Sequence, residues 1–482
     1  MARFGTRKLV LALTSLVAAL AAAGGVAIAS SSHHARRGMR LAQVVAHQGR
    51  SGRSRVIVVL KNQFRSLPAS ESHIRARRAA LTSTQQPLES GVRRSGGTIH
   101  HSYAVLNAFA ATASKDEIGK LRSNPAVAEV LPDALVRDPA QGRAVAGGLS
   151  YTDKPMTKRA RVRPTSLRAY KRALAAAGAQ QICPANPANP IIAPEGMNLI
   201  KAPQARALGV NGAGVKVAFV AEGIDVGNPD LVRPNGQHVI VDYRDFSGDG
   251  LNGVTGGGEA FGDASSIAAQ GNVTYDLSKF ANPANAGKLP AGCNIKLVGV
   301  APGASLVAMK AFGNSNFTFT SNLIQGMSWA VAVDHVNVLN ESFGGDPLPA
   351  SAQDVIAQFN RLAVAAGTFV TTSTGDQGTA NTIGSPADDA VNNPGAIAAG
   401  ATTQWQGVFQ TLRGGTQLSS GSWINDNIAE FSSAGFTQAG STLDLVAPGN
   451  ESFEACTASP TYQNCMNYAG NQSNISTFGG TS

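Results

Sequence analysis

At 482 residues the chain has room for two or three domains and a large core. Its net charge of +10 hides an asymmetry: residues 1–200 carry 29 Lys/Arg against 9 Asp/Glu, and residues 201–482 carry 11 against 21. Opposite signs in the two halves argue against a nucleic-acid binder and fit a basic front segment that docks on the acidic part following it.

In chain order, the first element is an export signal. Arg3, Arg7 and Lys8 precede an uncharged run from Leu9 to Ala29, and Ala27-Ile28-Ala29 has the small-x-small form that signal peptidase accepts. Residues 1–29 are therefore expected to be cleaved and the protein secreted. No later segment is apolar over enough residues to span a membrane. The next region, residues 55–138, opens with the β-branched strand "RVIVVLKNQF" and a helical stretch through Ile74 and Leu81. "HSYAVLNAFAATA" reads as a strand pair. Ser114 with Glu117 forms a capping box for a helix carrying Ile118 and Leu121, and "AVAEVLPD" closes as a strand. This β-α-β-β-α-β order predicts a small ferredoxin-like α+β unit. Residues 139–195, rich in Ala, Arg and Pro, read as a linker.

Residues 196–482 alternate short apolar strands with helices. Strands are expected at Val215–Val220, Ser305–Lys310, Val336–Asn340, Phe369–Thr372, Ala396–Gly400 and Leu443–Val446. One helix starts at Ser321, with Leu323, Met327 and Ala330 on one face, and another runs through Ala352–Ala366. Such continuous apolar strands predict a parallel sheet covered by helices on both faces. Ligand chemistry in these sheets sits at the carboxyl ends of the strands, which read "AEGID", "NESFGG" and "STGDQG".

Cys183, Cys293, Cys456 and Cys465 are expected to form disulfides in an exported chain, with three pairings open; Cys456 and Cys465 are close enough to staple one loop. No metal site is expected from cysteine and histidine spacing. "DYRDFSGDG" gathers Asp242, Asp245 and Asp249, read as a polar turn with calcium as an option and no cofactor required. His335, at a helix end, reads as a capping or surface histidine.

Seven segments now carry a resemblance, in order: "GVKVAFVAEGIDVGNPDL", "GVAPGASLVAMK", "VNVLNESFGG", "AAGTFVTTSTGDQG", "FSSAG", "LDLVAPG" and "GGTS". Together they are similar to the subtilases, the subtilisin-like serine peptidases, and residues 55–138 resemble that family's inhibitory propeptide. The resemblance implies a secreted endopeptidase precursor that acts on polypeptides and is bound by its own propeptide. It makes Ser482 the nucleophile and Ser342, Phe343 and Gly344 the residues that pair with an extended substrate. Because that serine begins a helix in the family, the peptidase domain is expected to be truncated where the chain stops.

The other catalytic positions depart from the family pattern. Asp-Thr-Gly is replaced by Ala221-Glu222-Gly223, the histidine of His-Gly-Thr by Asp263, and the oxyanion asparagine by Asp376. A histidine-based triad cannot operate without its histidine. The acidic set is similar instead to the sedolisins, the serine-carboxyl peptidases. It implies Asp263 as base at a helix start, Glu222 as the second acid in place of Ile267, Asp225 as a fallback, and a protonated Asp376 in the oxyanion hole. The alternative is a catalytically inactive homologue that binds peptides or proteins through the same cleft.

Overall fold

The computed structural model describes residues 52–137 and 183–482, apart from 281–288, 315–316, 345–353, 377, 379–382, 405–427, 430, 434, 438–439, 451 and 468. The export signal and residues 139–182 of the linker lie outside the described residues. The described residues belong to one compact unit.

The N-terminal domain has the expected order: β1 (Arg53–Leu60), α1 (Ile74–Arg94), β2 (Thr98–Ser102), β3 (Ala108–Ser114), α2 (Lys115–Ser123) and β4 (Val127–Pro132). Its antiparallel sheet is ordered β2-β3-β1-β4. Ser114 caps α2 by accepting from the Glu117 N–H at 3.2 Å, as the capping box requires. A short β5 (Leu135–Arg137) follows.

The body begins earlier than its composition suggested. Cys183 is bonded to Cys293, and β6 (Ile191–Ala193) pairs in parallel with β10 (Asn294–Leu297), so residues 183–195 belong to the body and not to a linker. Cys456 and Cys465 form the other disulfide. β9 (Tyr275–Asp276) completes the small sheet.

The main sheet holds β7 (Lys216–Ala221), β8 (Ile240–Asp245), β11 (Ser305–Lys310), β13 (Val338–Glu341), β14 (Phe369–Ser373), β15 (Ala396–Thr402) and β16 (Leu445–Pro448). All seven strands are parallel, ordered β16-β15-β14-β13-β7-β11-β8. From β7 the chain goes to the edge strand β8 and returns to β11 between them, whereas β13 to β16 build outward on the other side, so the order reverses between β7 and β13. Open parallel sheets bind ligands beyond the carboxyl ends at such a point.

Side chains alternate across β7, as a strand requires. Ala218 and Val220 face the core beneath α4 (Thr320–Ala332) and α5 (Val355–Ala365). Val217, Phe219 and Ala221 face the core beneath α3 (Gly258–Ala268). The first of these cores also takes in Ile57, Val59, Tyr103 and Val105 of the N-terminal domain, so that domain seals α4 and α5 as a further layer.

The seam is apolar and hydrogen-bonded. β5 pairs antiparallel with β12 (Phe317–Phe319). Asp133 accepts from the N–H and hydroxyl of Ser321 at 2.9 and 2.7 Å, and also binds Arg55 at 2.8 Å. Ser321 therefore lies inside the first turn of α4, and the carboxylate serving that turn comes from the N-terminal domain. The ion pairs Arg55–Asp133, Arg93–Glu89, Lys120–Glu117, Arg244–Asp242 and Arg361–Asp389 each lie within one domain. The contacts that cross the seam are apolar packing, strand pairing and hydrogen bonds, among them Arg78 to Ala332 O at 3.2 Å and Gln358 to Glu129 at 2.6 Å. A strand β17 (Ser452–Ala455) pairs antiparallel with β18 (Ile475–Phe478), which leads to Ser482.

Candidate active site

The site forms where β7 and β13 end. β7 stops at Ala221, which packs into the core under α3. Because the strand has ended, Glu222 is freed from strand alternation and turns toward α3. Its Oε2 accepts from the Ala260 N–H at 3.0 Å, and the side chain is buried. That N–H is one of those a helix leaves unsatisfied at its N-terminus, where the macrodipole also favours negative charge.

α3 starts without a capping side chain; Gly257 opens it at φ 83°, a left-handed conformation that glycine adopts without strain. Glu259 falls in the first turn and Asp263 one turn later on the same face. Both are buried. Asp263 is therefore not at a helix start; Glu259 lies one turn before it, and Glu222, the expected second acid, reaches the same helix from the end of β7. Glu259, a residue the sequence reading passed over, lies in the first turn of this helix. The i, i+4 spacing of Glu259 and Asp263 behind a glycine run was the available signal.

Burial pushes the Asp263 carboxyl well above the usual carboxylate range, and the nearby Glu259 and Glu222 push it further. Two donors oppose the rise. Ser342 Oγ donates to Asp263 Oδ1 at 3.0 Å, and the Asn340 amide also lowers the Asp263 pKa. Asp225, the fallback acid, takes no part here: its oxygens accept from Gly227 N–H and Thr457 Oγ at 2.9 Å each.

Asp376 follows β14. Its Oδ1 accepts from the Thr481 N–H at 2.7 Å and the Thr481 hydroxyl at 2.9 Å. Gly375 N–H in turn donates to that hydroxyl at 3.1 Å. The oxyanion candidate is thus bound to the residue directly before Ser482, which is half-buried. The path to Ser482 runs along α3: Phe478 packs on Gly262, where an added Cβ would lie 2.5 Å from the ring. Gly480 N–H then donates to Gly449 O at 2.8 Å.

Of the three substrate-cleft candidates, Ser342 is turned inward onto Asp263, and Phe343 is buried in the core under α4 and α5. Gly344 passes so close to the Ser385 carbonyl that no side chain would fit. The three aspartates of the polar loop diverge. Asp242 binds Arg244 and Trp329 Nε1, Asp245 accepts from Ser247 and Gly250, and Asp249 accepts from Asn314 N–H. The Lys310 ammonium donates to Gly250 O at 2.7 Å and Gly253 O at 3.3 Å, so a side-chain cation serves this loop. Among the described residues no three or more His, Cys, Asp or Glu are arranged to hold a metal.

A seven-stranded parallel sheet with acids and hydroxyls gathered at its switch point, sealed by a ferredoxin-like domain, is the subtilisin-like α/β class with its N-terminal inhibitor domain. The chain belongs to the subtilase family: residues 212–482 match the subtilase family, and residues 55–137 match peptidase inhibitor I9. It is 25% identical over 365 residues to subtilisin E of Bacillus subtilis (strain 168), which is 74% of this chain and 66% of that protein. The chain thus spans just under two thirds of that relative's length. Similarity to subtilisin DY of Bacillus licheniformis is 30% identity over 260 residues, 53% of this chain and 72% of that protein. Subtilisin Savinase of Lederbergia lenta is 30% identical over 256 residues, 53% of this chain and 71% of that protein.

Proposed function

We propose that this chain is the precursor of a secreted subtilase-fold serine endopeptidase whose general base is a buried carboxyl pair. The observation that carries the reading is the group Glu259, Asp263 and Glu222. These three buried carboxyls lie around one helix start, where like charges cannot all ionise and a proton must be retained. The Ser482 hydroxyl attacks the scissile carbonyl carbon and its proton passes to the Glu259–Asp263 pair. The pair returns that proton to the departing amine, and water repeats the sequence to release the acyl group. Glu222, held at the α3 N-terminus by the Ala260 N–H, completes the acidic group beside the pair. Asp376 in its protonated form donates to the oxyanion, as the asparagine of the family pattern would. Export is supported by the run Leu9–Ala29, and inhibition in the precursor by the N-terminal domain pairing its β5 with β12.

The test is a pH–rate profile on a peptide substrate with the complete protein, together with Glu259→Gln and Asp263→Asn. Activity is expected to be greatest in acid and to fall as pH rises, since the retained proton is lost in that direction. Each variant should lose ~100-fold or more in kcat. A profile rising between pH 5 and 8, or a fully active Glu259→Gln, would sink the carboxyl mechanism. Tight peptide binding with no hydrolysis at any pH would point to the inactive homologue.

A further inference from the structure

We infer that Ser342 is a positioning residue that holds Asp263 Oδ1 free of a proton, so that the proton shared among the buried carboxyls is confined to Asp263 Oδ2 and the neighbouring glutamates. The inference rests on reading the site as a carboxyl-based peptidase.

The direction of the hydrogen bonds carries it. Thr371 Oγ donates to Asn340 Oδ1 at 2.9 Å, which turns the Asn340 amide nitrogen toward Ser342. Asn340 Nδ2 donates to Ser342 Oγ at 2.7 Å. An amide nitrogen accepts no hydrogen bond, so the Ser342 hydroxyl hydrogen cannot point back along this chain. It is left to Asp263 Oδ1, 3.0 Å away. A carboxyl accepts far better on its unprotonated oxygen than on its O–H, so this donor on Oδ1 drives the proton to Oδ2. Ser342 and Asp263 are 1% and 3% exposed, so water does not compete for the contact.

The groups facing Asp263 explain why such a donor matters. Glu259 from the same helix and Glu222 from the β7 turn both oppose its ionisation, whereas β13 and the residue after it present the neutral Asn340 and Ser342. Without them Asp263 could bind its proton on either oxygen and turn an O–H toward β13, away from the reacting serine. Residues read from the sequence as cleft lining thus act on the base. Thr371, on the neighbouring strand β14, sets the polarity of the whole relay.

The experiment follows the carboxyl carbon-13 titration of Asp263 in the complete protein, assigned by its absence from Asp263→Asn, alongside the pH–rate profile. Ser342→Ala should raise the Asp263 midpoint by about one to two pH units, the worth of one hydrogen bond to a charged group. The fall of kcat with rising pH should move up with it and KM should stay near the wild-type value, while Ser342→Thr restores both. If Ser342→Ala does not fold, Thr371→Val, which frees the Asn340 amide, should give a smaller shift of the same sign. An unmoved midpoint with a raised KM would return Ser342 to the substrate cleft and overturn the inference. A moved midpoint in a protein that hydrolyses nothing would sink the peptidase reading alone.

Discussion

Glu341, the last residue of β13, should make the folded state lose stability as pH rises. It is fully buried, and Asn360 Nδ2 on α5 donates to its Oε2 at 2.8 Å. Glu341 Oε1 and Asn360 Oδ1 are then two buried acceptors with no donor between them among the described residues. A proton on Oε1 supplies that donor and closes an acid–amide pair. Burial, helped by the nearby Asp354, raises this carboxyl to about 8 from an ordinary 4.5. Below pH 4.5 the folded and unfolded chains both hold the proton, and the stabilisation is complete. Between 4.5 and 8 only the folded chain holds it, so stability falls by ~1.4 kcal/mol per pH unit. The whole window amounts to a loss on the order of 5 kcal/mol, comparable to the ~5–15 kcal/mol that holds a domain together. Glu341→Gln keeps the shape, does not titrate, and carries an amide N–H for Asn360 Oδ1. Urea unfolding at pH 5 to 9, in a Ser482→Ala background to prevent self-digestion, should find the variant near wild type at pH 5. By pH 8 it should be several kcal/mol more stable. Parallel stability curves would mean that Glu341 is ionised in the fold and the reasoning is wrong.

The seam between the N-terminal domain and the body should tolerate salt: proteolytic release of the domain should change by no more than ~2-fold between low and high ionic strength, because screening acts on exposed charges. Asp133→Ala should instead loosen it strongly, by ~3–5 kcal/mol, by leaving Arg55 without its carboxylate and α4 without its cap; strong salt sensitivity with a silent Asp133→Ala would reverse this view. Gly262→Ala should cost ~1–3 kcal/mol by overlap with the Phe478 ring. Adding Phe478→Ala should recover part of that loss in thermal unfolding, and additive losses would mean that the two residues do not meet.

Much of the fold was legible because its signals are local. Continuous apolar strands such as "KVAFVA" and "SLVAMK" declare a sheet buried on both faces, and β7, β11, β14 and β15 lie within a residue or two of their expected positions. β8 was not legible. Its "IVDYRD" is an edge strand, exposed or half-exposed beyond Ile240, and its charges read as a polar turn. The start of α3 was equally hidden, because Gly257 opens it through backbone conformation and offers no capping side chain to recognise. With the helix set too late, Asp263 was taken for its first residue and Glu259 fell outside it. The contact between Ser342 and Asp263 joins residues 79 apart in sequence and exists only once β13 and α3 are packed.

The charge balance of the body reads differently in this light. Counting every carboxyl as ionised gives residues 201–482 their excess of acid. Yet burial raises Asp263 and Glu341, and it also raises Asp334, to about 6, and Asp230. Each of these groups holds its proton in the fold at a pH where the unfolded chain has released it, so each contributes stability that is complete in acid and lost as pH rises through its folded value. The proposed carboxyl pair at α3 needs its shared proton over the same range. Acidity therefore favours both the packing of the sheet and the protonation state of the site. A stability curve that climbs steadily from pH 5 to pH 8 would contradict both at once, because it would require these buried carboxyls to be anions in the folded protein.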